Sequence, residues 1–152
     1  MKPTVYFATD HAGFELKNVL LAFVRDELHY DVVDCGPMAF DTQDDYPDFI
    51  SIAAKSVSKT PTSRAIILGG SGQGEAMVAN RFPHVRATAY YGGSDEILTL
   101  SREHNDANIL SLGARFLTET EAKEAVTQWL EGTFSGDNRH VRRIKKIEHV
   151  TK

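Results

Sequence analysis

The chain has 152 residues, the span of one domain, so a single domain over residues 1–152 is expected. Its 41% hydrophobic and 25% charged residues, with every apolar stretch broken by polar groups, fit an ordinary globular chain and exclude a disordered one. The densest apolar run, Val19 to Val24, falls far short of the roughly 20 residues a membrane crossing needs, so no membrane partner is expected. The N-terminus passes after Lys2 into a strand-like run without a small-residue cleavage site, which reads as no secretory signal and a cytoplasmic protein. A lone cysteine, Cys35, can form neither an internal disulfide nor a thiolate zinc site, in keeping with a reducing compartment. Seventeen Lys and Arg against 21 Asp and Glu give a net charge of −4, which argues against nucleic-acid binding by bulk charge. Arg139, His140, Arg142, Arg143, Lys145 and Lys146 nevertheless crowd the C-terminus, where a small anion could be recognised.

In chain order, short β-rich apolar runs predict strands over Thr4–Thr9, Asp31–Cys35, Arg64–Leu68, Arg86–Tyr90 and Asn108–Leu112. Between them the spacing predicts helices over Gly13–Leu28, Asp48–Ser58, Glu75–Arg81, Ser94–His104, Glu119–Glu131 and His140–His149. The first is the clearest, with Leu16, Val19, Leu20, Phe23 and Val24 on one face. Regular alternation of strand and helix favours parallel strands joined by right-handed crossovers, hence a three-layer α/β/α sandwich around a five-stranded parallel sheet. The longest irregular stretch is Gly36–Pro47. Its Asp41, Asp44 and Asp45, with Asp48 just beyond, read as solvated or helix-capping carboxylates.

Ligands of open parallel sheets bind at the carboxyl ends of strands, so residues just after strands are the informative ones. Asp10-His11-Ala12-Gly13 follows the first strand and opens the longest helix. Asp10 suits an N-cap, and His11 is placed to hydrogen-bond a sugar hydroxyl or a phosphate. After the third strand comes Gly69-Gly70-Ser71-Gly72-Gln73-Gly74-Glu75. It is no nucleotide-hydrolase phosphate loop, because Glu75-Ala76 stand where Lys and Ser or Thr are required. Gln73 spoils a serine-hydrolase elbow. The glycine spacing misses the dinucleotide fingerprint, and Glu75 would repel a diphosphate. What remains is a cup of backbone N–H groups beside a carboxylate, a combination suited to removing a proton next to a carbonyl while the enediolate oxygens are held. The third group is His104-Asn105, Gly113-Ala114-Arg115 and Arg139-His140 with Arg143. On a helix, Arg139 and Arg143 share a face and with His140 could grip a phosphate dianion. His104 has no second His or Cys at ligand spacing, so no metal is expected.

Taken together, Asp10 to Gly13, Asp45-Tyr46-Pro47, Gly69 to Glu75 with Ala79-Asn80, Arg102 to Asn108, Gly113 to Arg115, and Arg139-His140 with Arg143 resemble the ribose-5-phosphate isomerase B family, which includes galactose-6-phosphate isomerase subunits. The resemblance spans nearly the whole chain. It implies a Rossmann-like fold, a homodimer or dimer of dimers with active sites drawn from both subunits, and aldose–ketose isomerisation through a cis-enediolate without metal or other cofactor. Carried over residue by residue, it implies sugar and phosphate contacts by Asp10 and His11. The reacting oxygens would be held by Ser71 and the loop amides of Gly70, Gly72 and Gly74. His104 would assist ring opening, Asn105 would stabilise the enediolate, and Arg115, Arg139, His140 and Arg143 would bind phosphate. Many members of the family have a cysteine base at the position of Gly69. This chain instead resembles the subgroup whose glutamate takes that role, here Glu75. Its reference pKa near roughly 4.3 makes it a weak base unless desolvation raises it. Ribose 5-phosphate is the substrate expected. A tetrose or hexose phosphate, or a protein that binds sugar phosphates without catalysis, are the alternatives.

Overall fold

The computed structural model describes residues 1–151. Five parallel strands, β1 (Val5–Ala8), β2 (Val32–Asp34), β3 (Arg64–Gly69), β4 (Ala87–Tyr90) and β5 (Ile109–Gly113), form one sheet in the order β2-β1-β3-β5-β4. The helices are α1 (Phe14–Asp26, preceded by a 3-10 turn at His11–Gly13), α2 (Tyr46–Lys59), α3 (Gln73–Ala79), α4 (Glu96–Glu103), α5 (Glu119–Glu131) and α6 (Asn138–His149). The strand order and right-handed crossovers place α1, α4 and α5 on one face and α2 and α3 on the other. The predicted three-layer α/β/α architecture is therefore present. No helix among the described residues is long and apolar enough to cross a membrane.

Each face has its own core. Phe7, Leu20, Val24, Leu68, Leu98, Leu112 and the fully buried Trp129 pack on one side. Ala8, Ile50, Ala54, Val57, Ile67 and Ile109 pack on the other. Both faces of β3 and β5 are covered, which explains why Ile66-Ile67-Leu68 and Ile109-Leu110 read as unbroken apolar runs rather than alternating ones.

Element limits differ from the sequence expectation by a few residues. The helix expected from Asp48 begins at Tyr46, because Pro47 occupies the first turn, where its missing N–H costs no hydrogen bond. The last helix starts at Asn138 rather than His140. α6 is poorly covered towards its end. Ile147 is 51% exposed and Val150 79%, while Glu148 ties the helix back through ion pairs to Arg86 (3.2 Å) and His84 (3.1 Å).

The chain leaves β1 towards β2, and β3 lies on the other side of β1. That reversal opens a crevice at the carboxyl ends of β1 and β3. Thr9 Oγ1 closes its floor by donating to the Leu68 carbonyl (3.0 Å), and a side chain on Gly13 would collide with both residues. The 3-10 turn thus sits directly against β3.

Candidate active site

Over this crevice lies a cleft of about 470 Å³ lined by Asp10, His11, Tyr46, Gly70, Ser71, Gly74, Glu75, Arg115 and Phe116. Seven of the residues named from the sequence therefore meet in one place. Asp10, 7% exposed, caps the 3-10 turn through Oδ1, which accepts the Ala12 N–H (2.9 Å). Gly72 adopts a left-handed φ of 77°, and a Cβ there would stand 2.9 Å from the backbone of Leu112. Gly72 serves the turn and is buried beneath the cleft instead of lining it. The Ser71 hydroxyl accepts the Gln73 N–H at 3.3 Å. The N–H groups of Gly70 and Ser71 donate to no acceptor among the described residues.

Glu75 stands in the first turn of α3 and is 4% exposed. Its carboxylate folds back over the end of β3, where a Cβ on Gly69 would overlap both carboxylate oxygens and the carboxyl carbon. The bare backbone at position 69 is what admits this carboxylate. Burial pushes the Glu75 carboxyl above its ordinary value. Its own N–H, bonded to the carboxylate, acts the other way, and the nearby Asp10 charge adds to the rise. Cys35 is no rival base: burial raises its thiol to about 11, with Asp34 adding to the rise.

One acidic residue departs from its expected role. Asp44, read from the sequence as solvated or capping, is largely buried, and its Oδ1 accepts both the backbone N–H (3.1 Å) and the ring Nδ1–H (2.6 Å) of His11. That hydrogen bond raises the His11 pKa above the usual histidine value, against an opposing push from burial and from the Arg115 charge. Asp41 keeps the surface role expected of it, its Oδ1 accepting the Gln43 N–H. With Phe116, Tyr46 is a residue of the cleft that the sequence did not point to. Its hydroxyl stands 2.7 Å from where a Gly74 side chain would begin. Asp10, His11 and Asp44 are also the one group among the described residues whose ligand atoms lie close enough for a metal, within 4.8 Å. One oxygen of each carboxylate already accepts N–H groups, and a cation bound to His11 Nδ1 would have to displace the proton shared by His11 and Asp44.

His104, Asn105, Arg139, His140 and Arg143 lie elsewhere. α4 runs back from the carboxyl end of β4, so His104 and Asn105 fall beside the amino ends of the strands, where Arg86 Nε donates to the Asn105 carbonyl (2.9 Å). Six residues of β3 at ~3.3 Å each place roughly 20 Å between the two ends. At this far end the His104 and His140 rings stack at 4.3 Å, and His140 Nδ1 meets Ser135 Oγ at 2.8 Å. Burial lowers the His140 pKa, and the neighbouring His104 and Arg139 lower it further. The Arg102–Asp106 pair (2.8 Å) and the Asn108 side chain, which bridges the Arg86 N–H and the His84 carbonyl, brace this turn. The structure thus brings one half of the expected site together in the cleft and holds the other half at the opposite end of the sheet.

The Ribose/Galactose Isomerase family model matches residues 5–147. The chain belongs to the ribose/galactose isomerase family. It is 41% identical over 140 residues to a ribose-5-phosphate isomerase B from Mycolicibacterium paratuberculosis, covering 92% of this chain and 86% of that one. Among solved structures it is similar to ribose-5-phosphate isomerase B from Mycoplasma genitalium with bound ribulose 5-phosphate, at 36% identity and a TM-score of 0.93, covering 99% and 97% of the two chains. The type B ribose 5-phosphate isomerase of Trypanosoma cruzi superimposes with a TM-score of 0.91 at 35% identity, covering 99% of this chain and 97% of that one. The fold of this ribose/galactose isomerase family member is therefore matched across nearly its full length.

Proposed function

We propose that this chain interconverts ribose 5-phosphate and ribulose 5-phosphate, with Glu75 as the base. The observation that carries the reading is the buried Glu75 carboxylate over Gly69, beside the free N–H groups of Gly70 and Ser71. In the open-chain aldose, Glu75 takes the proton from C2. The electron pair left behind forms the C1–C2 double bond of a cis-enediolate, while negative charge gathers on the C1 oxygen. The Ser71 hydroxyl and the two amides hold the oxygens as that charge grows. Passage of the C2 hydroxyl proton to the C1 oxygen, with return of the proton from Glu75 to C1, gives the ketose. A desolvated carboxyl with a raised pKa is the stronger base for this step.

His11 and Arg115 supply positive charge within the cleft. Arg139, His140 and Arg143 bind the phosphate, His104 assists ring opening, and Asn105 steadies the enediolate, all from a second copy of the chain. Their place at the opposite edge of the sheet supports this: a five-carbon sugar phosphate does not span that distance within one protomer. The smallest assembly is a homodimer with two shared sites. Testing turnover on four-, five- and six-carbon aldose phosphates checks the assignment. Ribulose 5-phosphate formed from ribose 5-phosphate faster than any other product is expected, and preferential turnover of a tetrose or hexose phosphate would reassign the substrate.

A further inference from the structure

The isomerisation uses His11 as a cationic contact and gives no role to the Asp44 carboxylate bonded to it. Asp44 ends a tight turn in which its N–H donates to the Asp41 carbonyl (3.2 Å). This fixes the residue over the 3-10 turn that carries His11. One oxygen, Oδ1, then accepts two hydrogen bonds from the same histidine, one from the backbone and one from the ring. The second oxygen, Oδ2, is buried without a hydrogen-bond partner among the described residues. A buried carboxylate with one satisfied oxygen leans on the group bonded to it for charge compensation. Here that group is His11. Phe40 meets the imidazole edge to face at 6.4 Å and itself packs on Phe14 at 5.9 Å. The ring is thus held at Nδ1 by Asp44 and flanked by an aromatic side chain. Nε2 is the ring nitrogen with no bond among the described residues, and the ring lines the cleft beside Gly70, Ser71 and Arg115.

We propose that Asp44 is a positioning residue that fixes His11 as the Nδ1–H tautomer, holds its ring towards the cleft and favours its charged form when an oxyanion arrives at Nε2. The inference rests on the isomerase reading only for the nature of that oxyanion, the phosphate of the sugar. A carboxylate bonded to one ring nitrogen dictates the chemistry of the other. With Nδ1–H donated to Asp44, the neutral ring offers Nε2 as an acceptor, and protonation turns Nε2 into a charged donor. The groups facing the ring are Asp44 from the loop before α2, Asp10 after β1 and Arg115 after β5, with Glu75 of α3 and Tyr46 of α2 across the same cleft. Asp44 and Asp10 favour the cation and Arg115 opposes it, with the Asp44 hydrogen bond the largest influence.

The deciding experiment is nitrogen NMR of the histidine rings in the full-length protein, wild type against Asp44→Asn and Asp44→Glu, with His11 assigned by the signal lost in His11→Gln. Inorganic phosphate serves as the probe anion. In the wild type, His11 is expected to titrate above an ordinary histidine and to lose its proton from Nε2, keeping Nδ1–H. Asp44→Asn should lower that titration and weaken phosphate binding near neutral pH by roughly tenfold, the scale of one charge-assisted hydrogen bond. The loss should appear mainly in KM for the sugar phosphate, and Asp44→Glu should restore part of it. A purely structural role would leave the titration of His11 in place in any variant that folds. Should Asp44→Asn fail to fold, the wild-type tautomer decides alone: a neutral His11 protonated on Nε2 overturns the proposal. An unchanged His11 titration and unchanged phosphate binding in folded Asp44→Asn overturn it as well. Wild-type turnover of ribose 5-phosphate reads the isomerase assignment separately. An inactive protein whose His11 still depends on Asp44 would support the positioning role while contradicting that assignment.

Discussion

The carboxylate of Glu75 fills the space that a side chain on Gly69 would need. The absence of a Cβ at the end of β3 and the presence of the acid in the first turn of α3 are therefore one feature. Gly69→Ala should expel the carboxylate and lower kcat/KM by roughly two orders of magnitude or more, the low end of what a general base contributes. Gly69→Cys combined with Glu75→Ala puts a thiol at the end of β3 in the space the carboxylate leaves, and it should regain measurable turnover over Glu75→Ala alone.

Burial of Glu75 also sets a trade between activity and stability. Its folded pKa is raised, so between the unfolded and folded values the native state binds more protons, and stability falls as pH rises through that window. At neutral pH the ionised group destabilises the fold. Glu75→Gln should raise the melting temperature by a few degrees while reducing kcat by roughly two to four orders of magnitude. The acid limb of the wild-type kcat/KM profile should lie above the ordinary glutamate value and vanish in the variant. Melting curves and pH–rate profiles of the two proteins check both points.

The two perturbed histidines act with opposite sign on stability. His140 is held below its ordinary pKa, so the stability it contributes is present above about pH 6.5 and lost as pH falls through the lower folded value. His11 is held above it, and its contribution is present below about pH 6.5 and lost as pH rises through the folded value. His140→Gln should therefore flatten the acid side of the melting-temperature profile, whereas Asp44→Asn should flatten the alkaline side. Scanning calorimetry across the neutral range distinguishes them.

Separation of Glu75 and His104 by the length of the sheet makes subunit complementation a direct test of a shared site. Glu75→Gln and His104→Ala should each be impaired alone. After unfolding and refolding together, one of the two sites in each mixed dimer regains both native groups, and turnover should reappear. No recovery despite confirmed mixed dimers would contradict a site that takes Glu75 from one chain and His104 from another.

Much of this was legible in the sequence because strand ends are marked by local chemistry. Asp10-His11 and Gly69 to Glu75 follow apolar runs, and the parallel fold sends both to the same crevice. Asp44 was not legible. Nothing in Asp41-Thr42-Gln43-Asp44 separates a solvated carboxylate from one that reaches His11, 33 positions away, because loop closure decides it. The opposite location of His104 follows from the direction of α4. The shared site proposed for it needs a second chain, which periodicity within one sequence does not encode. Gly72 looked like a ligand-facing glycine, yet the backbone of Leu112 beneath it shows that the turn itself requires it.

The most direct measurement is hydrogen exchange at the sugar carbon next to the carbonyl. Ribose 5-phosphate in heavy water with the wild-type protein should acquire deuterium at C2 and yield ribulose 5-phosphate, while Glu75→Gln should still bind the sugar phosphate but exchange roughly two to four orders of magnitude more slowly. Equal exchange by the two proteins would contradict the assignment of Glu75 as the base.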